Sequence, residues 1–267
     1  MPKAETITSA ANPLLQDVRR AIRRGGLTAE GWAVAETIHL LDEVLRSPCE
    51  VKVVLAAESA WDAVARLGRL RGIRAVTLAD KLFQSISGTQ TAQGVMALVQ
   101  PRAWQFEDLF GAAPLVVVLD GLQDPGNAGA VVRAAEAFGA TGALLLQGTA
   151  SPHNPKTLRA SAGSLFRVPV LYGMQPAAAR DALEGHGLAL YAAVPARQGA
   201  ASRLPTEADF RRPCALIIGG EARGVGPELR PAATDVSIPT VAVESLNAAV
   251  AAGILLYEAR RQRNGKP

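Results

Sequence analysis

Aromatic residues are scarce: six phenylalanines, three tryptophans and three tyrosines in 267 residues, 4% of the chain. So few rings argue against a surface that grips single strands by stacking bases on aromatics. Phosphate contact and shape reading stay open. Cysteine is scarcer still. Cys49 and Cys214 lie far apart and form no CxxC, which points away from a disulfide framework or zinc cluster and fits a reducing cytoplasm. Long apolar runs are missing too. The stretch from Leu246 to Tyr257 is broken by Asn247 and is too short to span a bilayer, so no membrane role is expected. Met1 to Pro13 has no basic segment followed by an apolar core, so no secretory signal is expected. With 19% charged against 49% hydrophobic residues, the composition is globular rather than disordered. A net charge of +4 fits a polyanionic partner without requiring one.

What is present alternates helical and strand patterns. Near the N-terminus, Leu14, Val18 and Ile22 recur at helical spacing, with Arg19, Arg20, Arg23 and Arg24 on the other faces. An amphipathic stretch covers 36–45, strands are expected at 51–55 and 94–99, and helices at 59–70 and 79–85. This reads as a compact α/β unit over residues 1–100. Pro101, Gly111 and Pro114 punctuate 101–114, which reads as a linker. A second α/β unit fills 115–267. The apolar run 115–120 has the continuity of a strand buried in a parallel sheet. Further strands are expected at 143–146, 188–193, 215–218 and 236–238, and helices at 128–138, 155–163, 176–184 and 246–262. The last helix carries Leu246, Val250, Ile254 and Tyr257 on one face and ends in basic residues that suit its C-terminus.

Three segments carry polar residues where chemistry is expected. The first runs from Asn127 through Gly129 to Arg133, directly after a buried strand, where open α/β sheets place their sites. An arginine among Val131, Val132, Ala134 and Ala135 is costly to bury without a partner. Taken singly, a capped helix whose arginine snorkels to solvent is the better reading. The second is the strand 216–218 running into Gly219, Gly220, Glu221 and Gly224; an ordinary tight turn explains it as well. The third is Ile238-Pro239, then Ser245-Leu246-Asn247. Helix capping accounts for Ser245 but leaves Asn247 unexplained.

Together, in this order and each at a strand end, the three resemble the motifs of the SpoU (TrmH) family of RNA 2′-O-ribose methyltransferases, part of the SPOUT superfamily. Asn127, Gly129 and Arg133 match the first motif, Gly219, Glu221 and Gly224 the second, and Ile238, Pro239, Ser245, Leu246 and Asn247 the third. Asn154-Pro155-Lys156, Arg159, Ser161, Gly163 and Pro169 look like the segment between motifs. The resemblance covers 115–262. The N-terminal unit is similar, more weakly, to small ribosomal RNA-binding domains. Three departures stand out: Ala222 where the family has glycine, Thr240 after Ile-Pro, and a shortened stretch between Pro239 and Ser245.

The resemblance implies an α/β catalytic domain with a parallel sheet and a deep C-terminal trefoil knot, preceded by an RNA-binding domain. It implies S-adenosylmethionine as cofactor, held by backbone around Gly219, Gly220, Ile238 and Leu246, with Leu146, Gln147 and Gly148 nearby. Arg133 matches the catalytic arginine, and Asn127, Glu221, Ser245 and Asn247 would orient it and the ribose. Because a guanidinium keeps its proton, Arg133 is expected to polarise the hydroxyl rather than act as base. Arg19, Arg20, Arg23, Arg24, Lys156 and Arg159 are expected on RNA. A homodimer through the C-terminal domain and a cytoplasmic location are expected. No metal is, since His39, His153 and His186 match no motif position. The substrate expected is ribosomal RNA, with a tRNA 2′-O-methyltransferase or a non-catalytic RNA-binding protein as the alternatives. A nucleotide-dependent oxidoreductase fits poorly: 126–139 lacks the glycine spacing, and Leu146-Gln147-Gly148 stands where an acidic residue is needed.

Overall fold

The structure is a computed structural model that describes residues 4–89, 93–196 and 201–265. Two compact units emerge: Met1–Ala103 with His153–Arg167, and Trp104–Pro152 with Val168–Pro267.

The first unit contains β1 (Glu5–Thr6), α1 (Pro13–Arg24), β2 (Ala33–Glu36), α2 (Ile38–Leu45), β3 (Glu50–Ala57), α3 (Trp61–Arg66), β4 (Arg74–Leu78), α4 (Asp80–Ile86) and β5 (Val95–Gln100). Its mixed sheet is ordered β1-β4-β3-β5-β2. β4 runs parallel to β1 and β3, and β5 antiparallel to β3 and β2. Local chemistry delimits α1. The Asn12 side chain accepts from Leu14 N, Pro13 occupies the first turn, and Gly25 closes the helix in the left-handed region at φ 63°. Leu15, Val18 and Ala21 are its buried residues, which leaves the arginines on the remaining faces. β2 and β4 are not among the strands that the sequence pattern gives.

The second unit opens inside the expected linker. Phe106–Leu109 forms a 3₁₀ turn with Leu109 fully buried. His186 stacks on Phe110 at 4.5 Å and meets Phe106 edge-on. The stretch is therefore packed, not loose. β6 (Leu115–Asp120), α5 (Pro125–Phe138) and β7 (Gly142–Leu146) follow. After α6 (Pro155–Ser161) come β8 (Val170–Met174), α7 (Pro176–Gly185), β9 (Ala189–Val194), β10 (Cys214–Gly219), β11 (Thr234–Ser237) and α8 (Ala248–Arg263). The sheet is ordered β11-β9-β10-β6-β7-β8 and is parallel throughout. The apolar runs of β6 and β10 are buried, as a sheet covered on both faces requires. α8 lies against α5. Among the described residues, no helix is long and apolar enough to cross a membrane.

The chief departure from the sequence pattern is α6. The pattern assigns it with 115–267, yet 153–167 belongs to the first unit. Leu158 and Phe166 join the apolar cluster of Leu40, Leu41 and Val44. Arg159 pairs with Glu36, whose side chain is 4% exposed, and Arg167 with Glu43 at 2.6 Å. Nothing in the local pattern of 153–167 announces this, because the partners lie more than a hundred residues away.

Candidate active site

β6 and β10 are neighbours in register, with Gly219 opposite Asp120, so the first two motifs start side by side. At this junction backbone packs on backbone. A β-carbon on Gly219 would lie 2.0 Å from the carbonyl carbon of Gly224, and one on Gly220 would lie 2.4 Å from the oxygen of Gly121. Glycine is thus demanded by the turn itself rather than by a ligand's approach. Gly224 N donates to the Gly220 carbonyl at 2.8 Å, and the Asp120 carboxylate accepts from Gly226 N at 2.7 Å. The left-handed residue of the turn is Gly224, at φ 64°. Ala222 is absent from the positive-φ residues, which explains why alanine is tolerated there.

α5 begins earlier than expected. The Asp124 side chain accepts from Asn127 N at 2.7 Å and Pro125 opens the helix, so Asn127 sits inside the first turn. Its side chain is held at both ends. Nδ2 donates to Glu221 Oε1 at 2.6 Å, and Oδ1 accepts from Asn247 Nδ2 at 3.0 Å. Asn247, not Ser245, is the N-cap of α8: its Oδ1 accepts from Ala249 N and Val250 N at 2.9 and 3.3 Å. The residue that capping could not explain is the cap. One directed chain, Asn247 to Asn127 to Glu221, therefore joins all three motifs.

Beside this chain lies a cavity of about 340 Å³. Gly219, Gly220, Ile238 and Leu246 line it, with Glu221 and Ser245. Leu146, Gln147 and Gly148 do not. Leu146 is fully buried in the core and Gln147 is exposed. Residues 193–196 at the end of β9 line the cavity instead. β9 is the neighbour of β10, whereas β7 lies beyond β6. That order is invisible in a linear sequence, and only the general rule that strand C-termini build sites pointed toward 193–196. Arg223, Arg230, Asp235 and Glu244 also line the cavity, and Arg230 is paired with Asp235 at 2.8 Å.

Arg133 is exposed, while Val131 and Val132 beside it are buried. It forms no hydrogen bond or ion pair with the described residues. Six residues at about 100° each set it roughly a third of a turn from Asn127 on α5. In the first unit, Arg23, Arg24 and Lys156 are exposed. Arg19 reaches Ser85 at 3.1 Å, Arg20 reaches Asp17 at 3.4 Å, and Arg159 is engaged by Glu36. Burial lowers the affinity of His153 for a proton. Among the described residues, no group of three or more His, Cys, Asp or Glu side chains is gathered to hold a metal.

Residues 114–257, more than half of the chain, match the family model of the SpoU rRNA Methylase family. The chain belongs to this family. The 23S rRNA (guanosine(2553)-2′-O)-methyltransferase RlmP of Bacillus subtilis is 32% identical to this SpoU member over 95% of this chain and 98% of its own. The 23S rRNA (guanosine-2′-O-)-methyltransferase RlmB of Xanthomonas axonopodis is 34% identical over 74% of this chain and 81% of its own. Among solved structures, the SpoU methyltransferase AviRb from Streptomyces viridochromogenes aligns with a TM-score of 0.80 at 26% identity, covering 96% of this chain and 99% of that one. The AdoMet-bound rRNA methyltransferase from Sinorhizobium meliloti gives 0.80 at 27%, covering 97% and 98%. The family assignment sets aside the oxidoreductase reading.

Proposed function

We propose that the chain transfers the methyl group of S-adenosylmethionine to a ribose 2′-hydroxyl of ribosomal RNA, and that it does so in the cytoplasm. The observation that carries this is the Asn247–Asn127–Glu221 chain beside the cavity, made of residues from all three motifs. The matched relatives named as 2′-O-methyltransferases of 23S rRNA support the substrate.

The cavity fits the cofactor. Its volume of about 340 Å³ falls in the range of small-molecule sites. Ile238, Leu246 and Val194 offer apolar wall for a purine, and strand-end backbone offers fixed donors and acceptors. The bound cofactor would supply a methyl group on a sulfonium, open to in-line attack. The chain's own task is then to position a poor nucleophile and stabilise the charge growing on it. Asn127 has no rotational freedom left, because both ends of its amide are engaged. Arg133, with its donors unengaged by described residues, polarises the 2′-oxygen and holds a neighbouring phosphate, and that phosphate or water takes the proton. Glu221 and Ser245 border the same space and orient the ribose.

The exposed face of α1 with Arg20, Arg23 and Arg24, joined by Lys156, serves RNA backbone. The order β11-β9-β10-β6 and the packing of α8 on α5 are consistent with the expected knot. A homodimer through the second unit belongs to this reading. Val250, Ile254 and Tyr257, one apolar stripe on α8, are 50%, 38% and 58% exposed in the single chain. Sedimentation at micromolar concentration should give twice the chain mass, and a monomer would overturn that part.

The test of function is incubation of the full chain with methyl-labelled S-adenosylmethionine and ribosomal RNA. Label should survive in alkali-resistant dinucleotides, which only a 2′-O-methyl group produces. Label confined to bases, or none, would overturn the proposal.

A further inference from the structure

The cavity carries five charged side chains, and four of them are accounted for or acidic. Arg230 and Asp235 neutralise each other at 2.8 Å. Glu221 takes the amide of Asn127 at 2.6 Å. Glu244 is exposed at the rim. Arg223 alone is a cation with no hydrogen bond or ion pair among the described residues. In the linear sequence it is only a spacer between Glu221 and Gly224.

Its setting is rigid. Gly219 and Gly220 are wedged against the backbone of Gly224, Val225 and Gly121, Gly224 N closes the turn on Gly220, and Asp120 holds Gly226 N. Two residues before it, Glu221 is tied through Asn127 to Asn247. The backbone that carries Arg223 is thus fixed with respect to the chain joining the three motifs. It also faces outward. Glu221, Ala222, Arg223 and Gly224 are all exposed, and a β-carbon on Gly224 would meet nothing within 4 Å. Arg223 therefore lines the cavity while staying exposed to solvent, from which a macromolecule would arrive. A polyanion reaching this mouth meets the carboxylates of Glu221 and Glu244, and Arg223 is the cation placed to offset them.

We propose that Arg223 binds a backbone phosphate of the RNA next to the target ribose and so positions the strand over the cavity. This rests on the reading of the chain as an RNA 2′-O-methyltransferase. The same guanidinium chemistry would suit the carboxylate of the cofactor, and the experiment separates the two sources.

Arg223→Gln and Arg223→Lys are compared with the unchanged full chain. S-adenosylmethionine affinity is read by calorimetry, RNA affinity across a salt series, and transfer kinetics with RNA varied. For Arg223→Gln, cofactor affinity should stay within about twofold while the slope of log affinity on log salt falls by roughly one. The KM for RNA should rise about tenfold, with kcat changed far less. Arg223→Lys should recover most of the slope, because lysine serves phosphate as a point charge. A large loss of cofactor affinity with an unchanged salt slope would overturn the proposal in favour of the cofactor carboxylate. No change in either would overturn it in favour of a solvated side chain. If the unchanged chain bound RNA but methylated none, the proposed function would fall, and the salt series, which needs no turnover, would still decide the role of Arg223.

Discussion

Asn247 donates its side-chain amide to Asn127 Oδ1 at 3.0 Å while its own Oδ1 caps α8. One short side chain therefore does two jobs that substitution can separate. Aspartate is as good a cap as asparagine, yet it has no amide to donate. Asn247→Asp should keep thermal stability close to the original and slow methyl transfer about tenfold, the scale of one missing hydrogen bond. Asn247→Ala should also lower stability, by about 1 kcal/mol for the missing cap. Calorimetric melting and single-turnover transfer rates check both. Equal stability loss in the two variants would show that the cap does not depend on the side-chain oxygen.

Arg133 is exposed and unbonded to described residues, so its removal touches nothing that holds the fold. Arg133→Ala should melt at the original temperature and bind S-adenosylmethionine with unchanged affinity. Methyl transfer should fall by roughly 100-fold or more, the usual effect of removing a donor aimed at developing negative charge. A parallel fall in cofactor affinity would place this arginine on the cofactor instead.

Gly219 and Gly224 should respond oppositely to the same substitution. Gly219→Ala drives a methyl to 2.0 Å from backbone that cannot move without opening the turn. It should destabilise by about 3 kcal/mol or more and lose cofactor binding with it. Gly224→Ala has open space and meets only the left-handed conformation, at about 1–2 kcal/mol. Chemical denaturation of both variants decides. If Gly219→Ala were fully stable, the turn would be softer than this packing implies.

The sequence pattern groups Arg159 with the RNA-facing arginines, but Glu36 engages it. Glu36 is nearly buried and accepts in addition from Gly88 N at 2.8 Å and Ser87 Oγ at 3.0 Å. Arg159→Gln should therefore act on stability, by about 3 kcal/mol, because it leaves a buried carboxylate short of its counter-charge. The salt slope of RNA binding should barely change. Replacing Arg20, Arg23 and Arg24 with glutamine should do the reverse, sparing the fold and flattening the slope by about one for each phosphate no longer neutralised. Denaturation and RNA titration across salt for the two variants form a direct comparison.

The linear chain alone specifies the α/β class, the continuous buried strands at β6 and β10, and the three motifs with their asparagines, glutamate and arginine. Those features depend on local patterning or on residue types at fixed spacing, which a linear reading keeps. The sequence reading gives the N-cap of α8 to Ser245, whereas in the structure Asn247 caps it by accepting from Ala249 N and Val250 N, and its amide reaches Asn127, 120 residues away. Strand order came only with the fold, and with it the finding that 193–196 rather than 146–148 line the cavity. The fold also placed α6 with the first unit, through Glu36 and Glu43. The glycine pair was legible as special, but the reason for it was not. Backbone-on-backbone packing between Gly220 and Gly121 leaves no trace in composition, because it depends on β6 and β10 ending side by side.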